Sequence, residues 1–597
     1  MTWRAGAADD ARLWWLFGAH PRPVAQGGGV DFAVWAPHAK AVRVIGPFND
    51  WTGTGGELHQ PDPGGTWRGT IRDARVGDLY RLDVLTRAGT WVQKADPFAR
   101  ESELPPSTSS VIVDDSRFPW TDDAWRAAQS ARSEPDRPIS IYEMHLGSWR
   151  PGLGYREIAD ELIPYVLAHG FTHVEFLPLT EHPFGPSWGY QATGYYSPTR
   201  RYGRPADLRY LIDRLHAAGI GAILDWVPGH FPRDAFALAY FDGAPLFEDP
   251  DPRRAAQPEW GTLVFDFGSP WVRDFLVSSA LYWIEEFRFD GIRVDAVASM
   301  LFLDFARTRE QWRPNHLGDN RNLDGIAFLT ELTSTIHSHH PESLVIAEDS
   351  STYWGVTRPI RGGGLGFDLK WNMGWMNDSL RALSAAAVDA DASWGLSRVL
   401  ISPSAEHDVL ALSHDEMTHG KGSLLQRAGG DTEEGHRLLR AYLAYTWAHP
   451  GKKLLFMGQE FGQRREWSEG RSLDWVTADD ELHGATARFV AELNSAYRRT
   501  PALWTDGPAR SLGRSDGPSG LIHFARSNGG DHFEAVVNLG ADAATCTVGL
   551  EGSAMSILLR SDETVAPVAH SENDEQFPPG SELSIPPRTT IWLVNAA

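Results

Sequence analysis

Eight short apolar runs alternate with longer helical stretches between residues 140 and 458, and this rhythm constrains the fold more than any other feature of the chain. The runs are Ser140–His145, His173–Leu177, Gly221–Val227, Gly291–Val294, Leu344–Glu348, Phe367–Trp371, Val409–His414 and Lys453–Gly458. The clearest intervening helix carries Leu208, Leu211, Ile212 and Leu215 at helical spacing, with Gly219 past its end. Eight strand–helix units predict a (β/α)₈ barrel, with a doubly wound open sheet as the alternative. The segment exceeds the roughly 250 residues typical of such barrels. Its surplus sits mainly between Pro228 and Gly268, where an excursion is expected.

Flanking regions have a different texture. Gly29–Pro37, Ala41–Trp51 and the runs that follow alternate apolar and polar residues between Gly and Pro, as β-sandwich strands do. The last ninety or so residues return to this pattern. The organisation predicted is an N-terminal β-sandwich over 1–110, a connector over 111–136, the barrel over 137–500 and a C-terminal β-sandwich over 501–597. With 597 residues, several domains are expected in any case.

A formal charge of −23 argues against a nucleic-acid partner, whose phosphates demand clustered Lys and Arg. No run approaches the eighteen or so apolar residues of a membrane span, and the Leu13–Phe17 patch is shorter than a signal-peptide core. A cytoplasmic protein is expected, with a monomer as the default. The single cysteine, Cys546, reads as a small core residue. The 25 tryptophans suit a protein that meets sugar rings, and Trp354, Trp371 and Trp375 are equally candidates for a sugar groove or for the core.

In a barrel of this kind the active site lies at the C-terminal strand ends. There the third strand offers Asp225 and, just beyond, His230; the fourth offers Arg293 and Asp295; the fifth Glu348 and Asp349; the seventh His414, Asp415 and Glu416. Two carboxyl groups flanking one bond are what glycoside cleavage needs. Arg293 lies two residues before Asp295, on the same face of a strand, and should keep it charged, which suits a nucleophile. Glu348 has no adjacent Arg and suits the proton donor. Asp415 can stabilise an oxocarbenium-like transition state, while His230 and His414 bind ring hydroxyls.

The strings DWVPGH, GIRVDAV, AED and LSHDE resemble the four core motifs of the α-amylase superfamily (glycoside hydrolase family 13), in order. That resemblance implies retention of configuration, with Asp295 as nucleophile, Glu348 as general acid/base and Asp415 as transition-state stabiliser. It also implies Arg293, His230 and His414 as substrate-site residues and a mainly structural Asp225. Longer strings, including SWGYQATGYYSPTRRYG, RVDAVASMLFLDF and LSHDEMTHGKGSLL, are similar to bacterial glycogen branching enzymes, and GVDFAVWAP…VRVIGPFNDW to a family 48 carbohydrate-binding module.

The expected reaction is therefore transfer of an α-1,4-glucan segment onto a 6-hydroxyl, making an α-1,6 branch in glycogen biosynthesis. Amylose, amylopectin or glycogen would be the partners. Tyr190 would stack on the transferred sugar, with Gln191 and Trp188 beside it. No cofactor is expected, since both bonds are acetals of similar energy. No metal is expected either: Gly229 stands where many amylases carry a calcium-binding Asn, and His337, His339 and His340 close a helix. Hydrolysis by a related amylase or trehalohydrolase, and a catalytically silent glucan-binding scaffold, are the alternatives.

Overall fold

A computed structural model describes residues 11–596 apart from 60–61, 115–117, 131–136, 389–405, 506, 508, 515–520, 551 and 564–575. Its centre is a closed barrel of eight parallel strands: β1 (Ser140–Met144), β2 (His173–Phe176), β3 (Gly221–Trp226), β4 (Gly291–Val294), β5 (Leu344–Ala347), β6 (Leu369–Trp371), β7 (Asp408–Leu412) and β8 (Lys452–Phe456). β8 returns to pair with β1, Leu454 opposite Ile141, which rules out the open sheet.

Long helices pack outside the strands: α1 (Tyr155–Ala168), α2 (Pro205–Ala217), α3 (Pro270–Glu286), α4 (Leu323–His339), α5 (Met373–Val388), α6 (Glu433–Ala448) and α7 (Glu481–Arg499). α2 shows why such a segment is helical. Pro205 opens it, the Asp207 carboxylate accepts the Arg204 N–H at 2.9 Å, and Gly219 follows its end with φ of +77°. Leu208, Leu211, Ile212 and Leu215 are fully buried, each contributing about 1.5–3 kcal/mol.

Inside the barrel the period of two sets an apolar floor beneath a polar upper layer. Ile141, Ile223, Ile346, Leu369, Trp371 and Val409 belong to the floor. Two residues further along, Glu143, Asp225 and Glu348 replace Ile141, Ile223 and Ile346 on the same face. Register brings Glu143 opposite Glu175 and Asp225 opposite Arg293.

The excursion after β3 holds a small antiparallel sheet of His230–Phe231, Thr262–Val264 and Ala256–Gln257. The connector contains a helix, Asp123–Ser130, that sequence periodicity did not reveal. It is fixed by contacts distant in sequence: Trp125 donates to Asp290 at 2.7 Å and stacks on His216. His216 in turn bridges Asp122 (2.8 Å) and Asp290 (3.0 Å).

N-terminal strands form two sheets, one of Gly18–Pro21, Val30–Trp35 and Thr66–Ile71, the other built on Ala41–Ile45, Leu79–Leu85 and Trp91–Lys94. They are braced on the barrel. Trp35 stacks on Trp271 of α3, and the buried Lys94 ammonium donates to the carbonyls of Ala235 and Ala239, each at 2.7 Å. The Leu13–Phe17 patch also has a packing role, with the Leu13 N–H bonded to Ser278 of α3. C-terminal strands from Arg510 to Asn595 make a six-stranded and a two-stranded sheet. This unit docks on α6, where Thr590 and Trp592 donate to the carbonyls of Ala441 and Ala444. Cys546 packs beside its core, as expected, and burial pushes its thiol up to about 12.

Candidate active site

Arg293, 1% exposed, is the hub of the upper layer. Its Nη1 donates to Asp225 Oδ1 at 2.8 Å and to Asp295 Oδ1 at 2.7 Å, and Nη2 lies 3.9 Å from Glu348 Oε2. Beneath it the Trp371 ring supports the guanidinium carbon at 4.3 Å, which fixes a planar cation better than an ammonium. With Oδ1 of Asp295 held, Oδ2 faces the cleft, 4.0 Å from His230 Nε2. Burial lowers His230 to about 4, leaving a neutral ring beside that oxygen.

Glu348 is held differently. One oxygen accepts the N–H of Ala296 at 2.7 Å. Ala296 itself has a left-handed φ of +50°, at a cost of about 1–2 kcal/mol. Burial raises Glu348 from its ordinary value to about 7, with Asp295 and Asp415 adding to the rise and Arg293 opposing it. Its neighbour Asp349 turns away to an ion pair with Lys370 at 2.8 Å, so of the two acids Glu348 alone reaches the cleft.

On the far side stands a chain of hydrogen bonds. Tyr190 O–H donates to Asp225 Oδ2 at 2.5 Å and accepts from His414 Nε2 at 3.0 Å. The His414 backbone N–H and Nδ1–H both donate to Glu143, at 2.9 and 2.5 Å. Burial works against charge on His414, but Asp415 and Glu143 outweigh it and raise the ring to about 9. Asp415 lies 3.4 Å from His414 Nε2; burial would raise it, yet His414 and Arg293 bring it below its ordinary value. Glu416, third of that acidic-motif run, pairs with Lys421 at 2.9 Å.

These groups face a cleft of about 400 Å³, open to solvent and lined also by Trp188, Gln191, Trp260, Phe305 and His419. Every predicted site residue converges here, with Asp225 and Arg293 forming the layer beneath. Sequence reading missed Glu143 and Glu175. Both stand in the sequence as acids inside the apolar runs of the first two strands. Glu175, wholly buried with neither oxygen hydrogen-bonded, is pushed far up by burial and by Glu143 and Asp225, so it sits neutral. Trp260, whose ring meets His230 at a tilt of 40° with centroids 4.6 Å apart, and Phe305 come from loops, where no periodicity marks them. Trp371 and Trp375 are core, while Trp354 is exposed under Arg358. His337, His339 and His340 turn to Asp368, Thr335 and Glu285, three separate partners.

Residues 16–99 match the model of carbohydrate-binding module 48 (isoamylase N-terminal domain). The chain is 52% identical over 548 residues to the 1,4-alpha-glucan branching enzyme GlgB of Leifsonia xyli subsp. xyli, covering 90% of this chain and 74% of that one. Its identity to the protein of the same name from Mycolicibacterium paratuberculosis is 45%, across 98% of this chain and 83% of that one. In fold it resembles the GBS pullulanase SAP solved in complex with maltotetraose, with a TM-score of 0.73 at 17% identity, covering 97% of this chain and 88% of that one.

Proposed function

The chain belongs to the bacterial 1,4-alpha-glucan branching enzymes, and from that premise we propose that Asp295, Glu348 and Asp415 carry its chemistry. The observation that supports these roles is the contrast between two neighbouring acids. Asp295 is bonded to a guanidinium at 2.7 Å, whereas Glu348 is raised to about 7 and so still carries a proton in a large part of the molecules near neutral pH.

An α-1,4-glucan lies in the cleft with its scissile bond between the two. Oδ2 of Asp295 attacks the anomeric carbon, and Glu348 delivers its proton to the departing 4-oxygen, so a glycosyl ester forms as the glycosidic bond breaks. Glu348, now a carboxylate, takes the proton from the 6-hydroxyl of a second glucan strand. That oxygen displaces Asp295, and two inversions retain the α configuration. Asp415 and the imidazolium of His414 hold ring hydroxyls of the sugar as positive charge develops at its anomeric carbon. Tyr190, Trp188 and Trp260 offer ring faces to the pyranose, and Gln191 and His230 offer hydrogen bonds. Asp225 and Arg293 keep the nucleophile aimed.

Amylose, amylopectin and glycogen fit this site as donors, because recognition rests on neutral hydroxyls and aromatic faces. Proton NMR of amylose incubated with the pure protein tests the reading. New α-1,6 anomeric signal with few new reducing ends supports intact transfer. Reducing ends that rise without α-1,6 signal would make water the acceptor and overturn the transfer assignment.

A further inference from the structure

α6 and α7 begin side by side, and a histidine in the first turn of each faces a single aspartate. His436 and His483 are buried, whereas Asp431, in the loop entering α6, is exposed. Asp431 Oδ1 lies 3.3 Å from His436 Nε2 and 3.3 Å from His483 Nε2, and the two rings meet nearly edge to face with centroids 4.6 Å apart.

Partners on the opposite side of each ring decide where the protons sit. His483 Nδ1 faces the carbonyl oxygen of Phe461 at 2.9 Å, an acceptor only, so that nitrogen carries hydrogen. Thr486 spends its hydroxyl hydrogen on the Leu482 carbonyl at 3.0 Å and therefore accepts from His436 Nδ1 at 2.9 Å. Both neutral rings then turn an Nε2 lone pair toward Asp431. The remaining carboxylate oxygen, Oδ2, is taken by Arg464 Nε at 2.5 Å, which leaves Oδ1 aimed between the rings. His483 Nε2 is wholly buried and has no hydrogen-bond partner.

Two lone pairs and an anionic oxygen converging on one point call for a cation among them. Tetrahedral zinc, with bonds of about 2.0–2.1 Å, sets adjacent ligand atoms about 3.3 Å apart. Both Asp431 separations have that length. We infer that Asp431, His436 and His483 form a site for a divalent transition metal of the zinc type, with solvent in the fourth position. Thr486, Phe461 and Arg464 supply the outer hydrogen bonds that orient such ligands. The site departs from the expectation of no metal, since the spacing of 431, 436 and 483 follows no short motif. It would tie the segment after β7, which carries Asp415, to the segment after β8, which carries Phe461.

The test uses the full chain stripped with chelator and titrated with zinc alone by calorimetry, with cobalt as a spectroscopic substitute. One saturable equivalent is expected, with the visible absorption of tetrahedral cobalt and a raised melting temperature. His483→Gln should lose that equivalent. Thr486→Val, which removes only the acceptor behind His436, should weaken it about tenfold or more. Asp431→Asn, at an exposed position, serves should His483→Gln fail to fold, and should also lose it. Absence of a saturable equivalent in the parent chain, or an unchanged one in Asp431→Asn or a folded His483→Gln, would overturn the inference and leave a proton between the rings instead.

Discussion

Replacing Glu348 by Gln should make the protein inactive and, above neutral pH, more stable. Gln keeps an oxygen for the Ala296 N–H that Glu348 accepts at 2.7 Å, so it mimics the protonated acid. In the wild type the acid is raised from 4.5 to about 7 by burial, with Asp295 and Asp415 adding. Between those values the unfolded chain has released the proton that the folded chain retains, so stability falls as pH rises from about 4.5 to about 7 and is level beyond. At about 1.4 kcal/mol per pH unit the accumulated cost is about 3 kcal/mol. The stability difference between Glu348→Gln and wild type should therefore grow from near zero at pH 4.5 to about 3 kcal/mol at pH 8, read from denaturant or thermal unfolding across that range. In parallel, wild-type kcat/KM for branching should fall about tenfold per pH unit above about 7, because the proton donor is lost. A stability difference that does not change with pH, or a rate flat to pH 9, would refute the claim that burial holds Glu348 protonated.

Asp295→Ala should lower transfer at least about 10⁴-fold, the scale on which a nucleophile's removal is felt, while circular dichroism remains native because Arg293 keeps its 2.8 Å bond to Asp225. Glu143→Gln leaves one of two His414 donors without an acceptor; it should cost about 1–3 kcal/mol in unfolding free energy and lower the pH at which the His414 imidazolium loses its proton, read by NMR of the ring, because Glu143 helps to hold it at about 9. His216 is opposed by burial but raised by Asp290 and Asp122 to about 9, so its stabilisation is full below about 6.5 and lost as pH rises through 9. Thermal unfolding from pH 7 to 10 should show that loss in the wild type and not in His216→Gln.

The barrel was legible because its signal is local: an apolar strand, a turn and an amphipathic helix each write their own period. Strand ends were over-extended by a residue or so, as at His145 and His414, because the polar residues that leave the ladder for the cleft follow the apolar run directly. Acidic ends of strands three, four, five and seven gave the candidate groups of the cleft, since one such acid alone can be a cap or half of an ion pair, as Asp349 and Glu416 are, but several ending neighbouring strands together point to a site. What stayed hidden depends on contacts across the chain. The helix Asp123–Ser130 is held by Trp125 against Asp290 and His216, more than ninety residues away. Trp260 and Phe305 reach the cleft only through the way their loops fold back. Asp431, His436 and His483 meet because two helices start together.

The amide that meets Glu348 belongs to the residue immediately following Asp295. The separation between the Asp295 and Glu348 carboxylates is thus tied to the peptide unit joining residues 295 and 296, which carries one and hydrogen-bonds the other, more than to how the surrounding loops pack. Loops such as those bearing Trp188, Trp260 and Phe305 can vary, as loops do, and change which glucan ends are gripped. On the roles proposed for Asp295 and Glu348, the handover of a proton across the scissile bond is insulated from such drift. Substrate preference and chemical competence are in this way separately adjustable in one molecule.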